Sequence, residues 1–239
     1  AEEVDRLRGH AEQIKTLLGA EETKRKAYLE SAQVLSARRR QAATDLQCKL
    51  KVVLESLSMP SAVFETVFPE GYLPRERWSE NGIDEVEFYF SANPGEAAKP
   101  LGRVASGGEV SRLMLALKTV ATVDEFGKTL IFDEIDAGIG GSTANNVGML
   151  MKSLSERFQV ICVTHLPQIA ALADCHFHVS KSVEEGATTT HLEKLSEQSR
   201  VTELARLMTG AVTEKAVEGA RELLKSKQKP KGETRKAKG

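Results

Sequence analysis

The sequence predicts an α/β fold preceded by a long helical segment, on three observations. Residues 1–58 contain no proline and repeat apolar residues three and four apart among Glu, Lys, Arg, Ala and Gln, which is a heptad-like seam. From Ser106 onward, helical stretches alternate with short apolar runs, the pattern of a largely parallel sheet with helices on its faces. Two of those runs end directly in Asp133-Glu134 and Thr164-His165, and open α/β sheets bind ligands beyond the carboxyl ends of their strands.

The N-terminal seam is Val4, Leu7, Ala11, Ile14 and Leu18. It fails at Glu21 and Arg25, resumes with Tyr28, Ala32 and Leu35, breaks at Arg39, and shifts to Leu46, Leu50, Val53 and Leu57. With Gly19 at the first interruption, the expectation is two helices or one interrupted helix lying along a partner helix. The charge density favours this extended coil over two helices folded against the domain. A continuous helix would reach roughly 85 Å. Pro60 ends the region. Val63 to Phe68 suits a strand, Pro69, Gly71 and Pro74 mark a loop, and the alternating aromatic run Glu85 to Ser91 reads as a strand closed by Asn93-Pro94-Gly95. Then come a helix from Ser106 to about Thr122, a strand at Thr129–Phe132, a helix from Thr143 to Glu156 and a strand at Gln159–Thr164. A short helix at Pro167–Asp174, a strand at Phe177–Val179, and helices near Val201–Met208 and Thr213–Lys227 complete the chain. The expected domains are 1–58, coiled-coil or neck helices; 59–225, an α/β lobe; and 226–239, a basic disordered tail.

Composition narrows the function classes. Of 239 residues, 41% are hydrophobic and 28% charged, which excludes wholesale disorder. No run of 18 apolar residues could span a membrane, and the opening AEEVDRLRGH has no apolar signal-peptide core. An Ala at position 1 is expected of a fragment. Cys48, Cys162 and Cys175 form no CxxC pair, which fits a reducing cytoplasm and argues against a zinc ribbon. From Lys225 to Gly239 seven Lys/Arg face one Glu, so this end carries +6 against −7 for the rest. That tail reads either as a weak electrostatic contact for nucleic acid or as a solvated terminus.

Three motifs carry chemistry. Asp133 and Glu134 leave a strand as adjacent carboxylates, of which one can hold magnesium and the next can polarise an attacking water. Ser106-Gly107-Gly108-Glu109 opens an apolar helix. Serine is a good N-cap, the glycines admit an anion closely, and the helix N-terminus offers it partial positive charge. His165 ends the next strand at the same edge, as a switch or proton-relay group.

The order of these motifs resembles the downstream half of an ATP-binding-cassette ATPase core, a P-loop NTPase fold. Within that superfamily the stretches 82–96, 101–118, 129–141 and 163–181 resemble the bacterial RecN family of SMC-like proteins. Ile135 stands where transporter cassettes usually have Pro, as in the SMC-like branch. The resemblance implies an ABC/SMC-type head that sandwiches ATP between two subunits. It implies that Ser106, Gly107, Gly108 and Glu109 are the signature motif against the partner head's ATP. Asp133 would be the Walker B carboxylate on Mg2+, Glu134 the general base, His165 the γ-phosphate switch, and Asp136 part of the loop that communicates across the dimer. Gly138, Gly140 and Gly141 would form the tight turn after it.

The departure is equally specific. No GxxxxGK[ST] motif exists in the chain, and Gly127-Lys128-Thr129 has Thr122 where the first glycine belongs and precedes a strand instead of a helix. The family's Gln loop is missing too. In this family both come from an N-terminal segment followed by an antiparallel coiled coil, so residues 1–58 would be the returning arm. The implied partners are that N-terminal half, a second ATP-bound head, and DNA contacted without sequence readout, in the cytoplasm at the nucleoid. The function expected is ATP binding and hydrolysis in DNA double-strand-break repair. The alternatives are a non-enzymatic coiled-coil tether that bridges DNA, or the head of another SMC-like chromosome protein. Alternation puts His176 and His178 on one strand face and Cys175 on the other, so no metal site is expected there. Arg38-Arg39-Arg40 reads as a solvated face. Arg112 either relays nucleotide state or pairs with a carboxylate.

Overall fold

The computed structural model describes residues 2–69, 71–104, 107–121, 127–184 and 187–228. Ser106, and the tail from residue 229 onward, lie outside the described residues. A single helix, α1 (Glu2–Ser56), runs without a break for 55 residues. Both interruptions of its seam are therefore chemical, not structural. Gly19 costs about 1 kcal/mol relative to Ala in a helix interior, too little to divide a proline-free segment of this length. Just beyond it Glu22 and Arg25 pair at 2.6 Å on the helix surface. The chain divides into two compact units, and α1 contributes to both.

The first unit holds residues 1–49, 63–91 and 96–103. Its sheet has the order β1 (Val63–Val67), β2 (Glu87–Ser91), β3 (Lys99–Pro100), antiparallel throughout. Phe64 opposes Phe90, and Phe90, like Ile83, is almost fully buried. The stretch of α1 from Tyr28 to Gln47 packs on this substructure. Tyr28 stacks on Trp78 with centroids 5.1 Å apart and donates its hydroxyl to the Ser79 carbonyl at 3.0 Å. Gln47 Nε2 donates to the Phe64 carbonyl at 3.3 Å. Arg39, where the apolar repeat stops, is the polar rung of the same face. Its Nη1 reaches Asp84 Oδ2 at 3.2 Å, and Ser36 Oγ donates to Asp84 Oδ1 at 2.6 Å. The Asp84 side chain is only 2% exposed, so both partners satisfy a buried carboxylate. Residues 28–47 thus contact the 78–84 loop and, through Gln47, strand β1. Farther toward the N-terminus Val4, Leu7, Ile14, Leu17 and Leu18 remain exposed.

The second unit holds residues 50–62, 92–95 and 104–239. The last turns of α1 enter it through Leu50, Leu54 and Leu57, all buried. The helix ends in a Schellman motif: Met59 N–H donates to the Leu54 carbonyl at 3.0 Å and Ser58 N–H to the Glu55 carbonyl at 3.2 Å. Ser58 takes the left-handed position usually given to glycine, with φ 59°. Helix α3 (Gly141–Leu154) holds this end, since the Ser58 and Thr143 hydroxyls bond and Asn146 Nδ2 donates to the Ser56 carbonyl at 2.8 Å.

The remaining elements are α2 (Gly107–Val120), β4 (Thr129–Phe132), β5 (Gln159–Cys162), α4 (Pro167–Ala170), β6 (Phe177–Glu184), β7 (Ala187–Lys194), α5 (Glu197–Thr209) and α6 (Glu214–Gln228). Strands β4 and β5 pair parallel, Thr129 opposite Gln159 and Phe132 opposite Cys162. Among the described residues the parallel sheet is this pair alone. β6 turns back on the unforeseen β7 in an antiparallel hairpin from Phe177↔Lys194 to Glu184↔Ala187. The run Thr188-Thr189-Thr190 is β-branched but shows no apolar alternation, so periodicity does not mark β7. One face of the parallel pair is bare: Ile131 is 70% exposed and its register partner Ile161 46%.

Helices α4, α5 and α6 share a core of Ala170, Ala171, Val201, Leu204, Ala205, Ala216 and Ala220. Ser196 caps α5 by accepting from Ser199 N–H at 3.1 Å, and Gly210 at φ 78° ends it. Leu204 is fully buried. Leu204→Ala is expected to cost about 2–5 kcal/mol, read as a lower denaturant midpoint at unchanged slope. The exposed Val52→Ala should stay within about 0.5 kcal/mol. Equal effects of the two would contradict this packing.

Candidate active site

The parallel register of β4 and β5 brings their carboxyl ends side by side, and Val163 N–H extends the ladder to the Phe132 carbonyl at 3.0 Å. Asp133 and Glu134 therefore leave one strand beside Thr164 and His165 leaving the other, as the apolar runs suggested. The residue that joins them is Asp136. Its side chain is 6% exposed, and Oδ2 accepts from Thr164 Oγ1 at 2.6 Å and from the His165 backbone N–H at 2.9 Å. His165 Nδ1 lies 3.1 Å from the same oxygen, while the imidazole stays 71% exposed. Thr164 Oγ1 also accepts from Leu166 N–H at 3.0 Å, which turns the chain into α4.

Glu134 takes a left-handed backbone, φ 55°, uncommon for a residue with a side chain. Its N–H donates to Asp133 Oδ1 at 2.9 Å, and its carbonyl accepts from Ala137 N–H at 3.1 Å. Asp133 and Glu134 are exposed, whereas Ile135 is fully buried and anchors the turn between them and Asp136. Gly138 and Gly141 take φ of 71° and 53° after it, while Gly140 is extended and caps α3.

The first turn of α2 packs on this loop. A Cβ on Gly107 would collide with the Glu134 carboxylate. On Gly108 it would stand 2.9 Å from Ala137 Cβ and 3.0 Å from the Glu134 carbonyl oxygen, closer than side chains normally come. Close approach therefore requires glycine at 108, where the neighbours are a β-carbon and backbone, whereas at Gly107 the neighbour is the movable end of the Glu134 side chain. Glu109 lies partly buried in the same turn and faces Arg112 electrostatically. The Ser106 N-cap falls outside the described residues. Arg112 meets backbone carbonyls of the loop where a carboxylate was one of two sequence expectations: Nη1 donates to the Ala137 carbonyl at 2.9 Å and the Ile135 carbonyl at 3.4 Å.

Two participants were missed. Thr164 stands beside His165, and its hydroxyl was the available signal. Arg200 on α5 had none, because its targets lie far away in sequence: Nη2 donates to the carbonyls of Ala170 and Ala171 at 3.0 Å and of Ala173 at 2.6 Å. It fastens the end of α4, just downstream of His165. No group of three or more His, Cys, Asp or Glu side chains suited to a metal occurs among the described residues. His178 instead lies 3.4 Å from Glu203.

A long N-terminal helix runs into an α/β unit that delivers carboxylates and a histidine to one strand edge beside a glycine-opened helix, and this defines the class: an α/β fold with a candidate site at the carboxyl ends of its parallel strands. The relatives that share its sequence are DNA repair proteins. The chain is 40% identical over 224 residues to the DNA repair protein RecN of Halalkalibacterium halodurans, covering 93% of this chain and 40% of that protein. The RecN of Treponema pallidum is 45% identical over 185 residues, and that of Bacillus subtilis 35% identical over 236. The matches cover 76–94% of this chain, and the chain spans between about a third and two fifths of the length of these relatives. No protein-family model matches. Among solved structures, the Smc head domain with coiled coil and joint from Pyrococcus yayanosii overlaps at TM-score 0.44 and 20% identity, over 77% of this chain and 30% of that one.

Cys162 ends β5 beneath this edge. Burial first, then Asp136 and Asp133, push its thiol up to about 12. Its thiolate, the reactive form, then amounts to on the order of one part in ten thousand at pH 8. Alkylation of the native chain at pH 8 should modify the exposed Cys48 and Cys175 first, and Cys162 only after denaturant is added. Equal rates for all three thiols in the native chain would contradict this placement.

Proposed function

We propose that this chain is the C-terminal part of a RecN-type head that binds and hydrolyses ATP in DNA double-strand-break repair. An N-terminal segment of the same protein would supply the Walker A loop and the ascending coiled-coil arm. The single observation that carries the reading is the Asp136 carboxylate holding the His165 segment against the Asp133-Glu134 loop at one strand edge. An edge with carboxylates on one strand end and a histidine on the next is equipped to bind a polyphosphate and activate water.

In this reading Glu134 is the general base. It is exposed, so a water between its carboxylate and a phosphorus can hand it a proton as the bond to the γ-phosphate breaks. Asp133, exposed at the strand end, would share in holding magnesium, whose chemistry is to neutralise phosphate charge. The donor set fits an ion that keeps several waters and takes one or two carboxylates. His165 presents an open imidazole beside that position and reports the γ-phosphate. Ser106, Gly107, Gly108 and Glu109 face the ATP of the opposite head, so two heads close around nucleotide, and Asp136 lies in the loop that reaches across. The bare face at Ile131, Ile161 and Val163 is where the N-terminal half of the head would pack. DNA, if held, is held by its phosphates, with salt-dependent affinity and no base readout. The protein would work in the cytoplasm at the nucleoid.

The test uses the full-length protein. Glu134→Gln keeps the size of the side chain but accepts no proton. It should bind ATP normally, hydrolyse it roughly 10²–10⁴-fold more slowly, and accumulate as dimers by light scattering when ATP and magnesium are added. Hydrolysis at the parent rate would remove Glu134 from the role of base. A parent protein without ATP turnover would favour the non-enzymatic tether.

The 239-residue chain by itself should turn over negligible ATP, because it holds no phosphate-cradling loop and lysine. Turnover comparable to the whole protein would sink the assignment of the missing loop to another segment.

A further inference from the structure

Helix α2 buries one charged side chain. Arg112 is 8% exposed and is followed by Leu113, Leu115 and Ala116, which are fully buried. Its Nε has no hydrogen-bond partner among the described residues, and burial pulls its pKa down, partly opposed by Glu109. A buried guanidinium with an unmet N–H is costly, and an apolar side chain of similar volume would fill the space without that cost. What the guanidinium adds is a rigid donor head that ties two carbonyls of one turn, Ile135 and Ala137, to the helix. Other residues of α2 hold the same segment. Ser111 Oγ donates to the Asp133 carbonyl at 2.8 Å, and Gly108 lies against Ala137 and the Glu134 carbonyl. From Asp133 to Ala137 the backbone is therefore pinned repeatedly to a single turn and a half of α2.

We propose that Arg112 is a positioning residue for ATP hydrolysis, fixing the turn that carries Glu134 and Asp136 to the helix that begins at Gly107. This rests on the ATPase reading above. Arg112 touches no reacting atom. It acts through the carbonyls on either side of Asp136, so that Glu134, Asp136 and the glycine-opened end of α2 move as one piece. Without it the turn keeps Ile135 as its anchor but loses its lateral tie, and Glu134 samples positions from which it does not reach the water. A base misplaced by about 1 Å loses roughly 10²-fold in rate.

The experiment compares full-length parent, Arg112→Met and Arg112→Lys. Three quantities are read: the Kd for a fluorescent ATP analogue, kcat with KM, and amide exchange of the 134–139 segment. For Arg112→Met, ATP affinity should stay within about 2-fold while kcat falls roughly 10- to 100-fold, and exchange in 134–139 should quicken with α2 unchanged. Arg112→Lys keeps charge but loses the planar head, so it should fall between the two. Parent kcat and parent exchange in Arg112→Met would overturn the proposal. If Arg112→Met does not fold, Arg112→Lys decides alone: parent values in both readouts overturn the proposal, and slower turnover with quicker exchange supports it. If the parent hydrolyses no ATP, the ATPase reading fails and the proposal falls with it. A clamp that is merely structural would alter exchange and thermal midpoint but leave kcat at the parent value.

Discussion

The Asp136 carboxylate is the point on which the strand edge depends. It is nearly excluded from solvent and accepts from the Thr164 hydroxyl and the His165 amide, with the imidazole close by. A buried carboxylate without donors is expensive, so it enforces the partnership that satisfies it. Because the donors belong to the segment after β5 and the acceptor to the segment after β4, the bond set fixes two loops that would otherwise be independent. The parallel register supplies the approach and Asp136 supplies the lock.

Around that lock the chain uses cations against backbone. Arg112 grips the carbonyls after β4, and Arg200 grips those after α4. Each leaves its Nε without a hydrogen-bond partner among the described residues. In both cases a planar guanidinium replaces the caps that short, irregular segments lack. Helix α4 has only four residues, Pro167–Ala170, and cannot order its own end. The loop from Asp133 to Ala137 has a left-handed Glu134 and no ladder of its own. Rigidity here is imported from α2 and α5, which have cores to stand on.

Much of this was legible in advance, and the limits are physical. Apolar runs ending in Asp133-Glu134 and Thr164-His165 sufficed to place those residues at one edge, because parallel pairing follows from helix–strand alternation. The continuity of α1 was not legible. A seam broken by Arg39 looks interrupted until Asp84, 45 residues from Arg39 and 48 from Ser36, is seen to complete it. Strand β7 was missed because Thr188-Thr189-Thr190 carries no apolar phase. Arg200 was missed because its partners are carbonyls, which no sequence pattern displays. The reach of the parallel sheet was overestimated for the opposite reason. Strands β4 and β5 are written for burial on both faces, and the described residues cover one.

That uncovered face bears on how the chain behaves as a material. Strands β4 and β5 each present an outer edge with no neighbour among the described residues, next to exposed Ile131, Ile161 and Val163. Short, uncharged, β-branched segments such as Val160-Ile161-Cys162-Val163, without proline, are the kind that recruit further strands from other copies. The sheet that ends in Glu134 and His165 therefore also carries an adhesive surface of the second unit. Covering that face would protect solubility, and the concentration of uncovered chain sets how fast it is lost to aggregation.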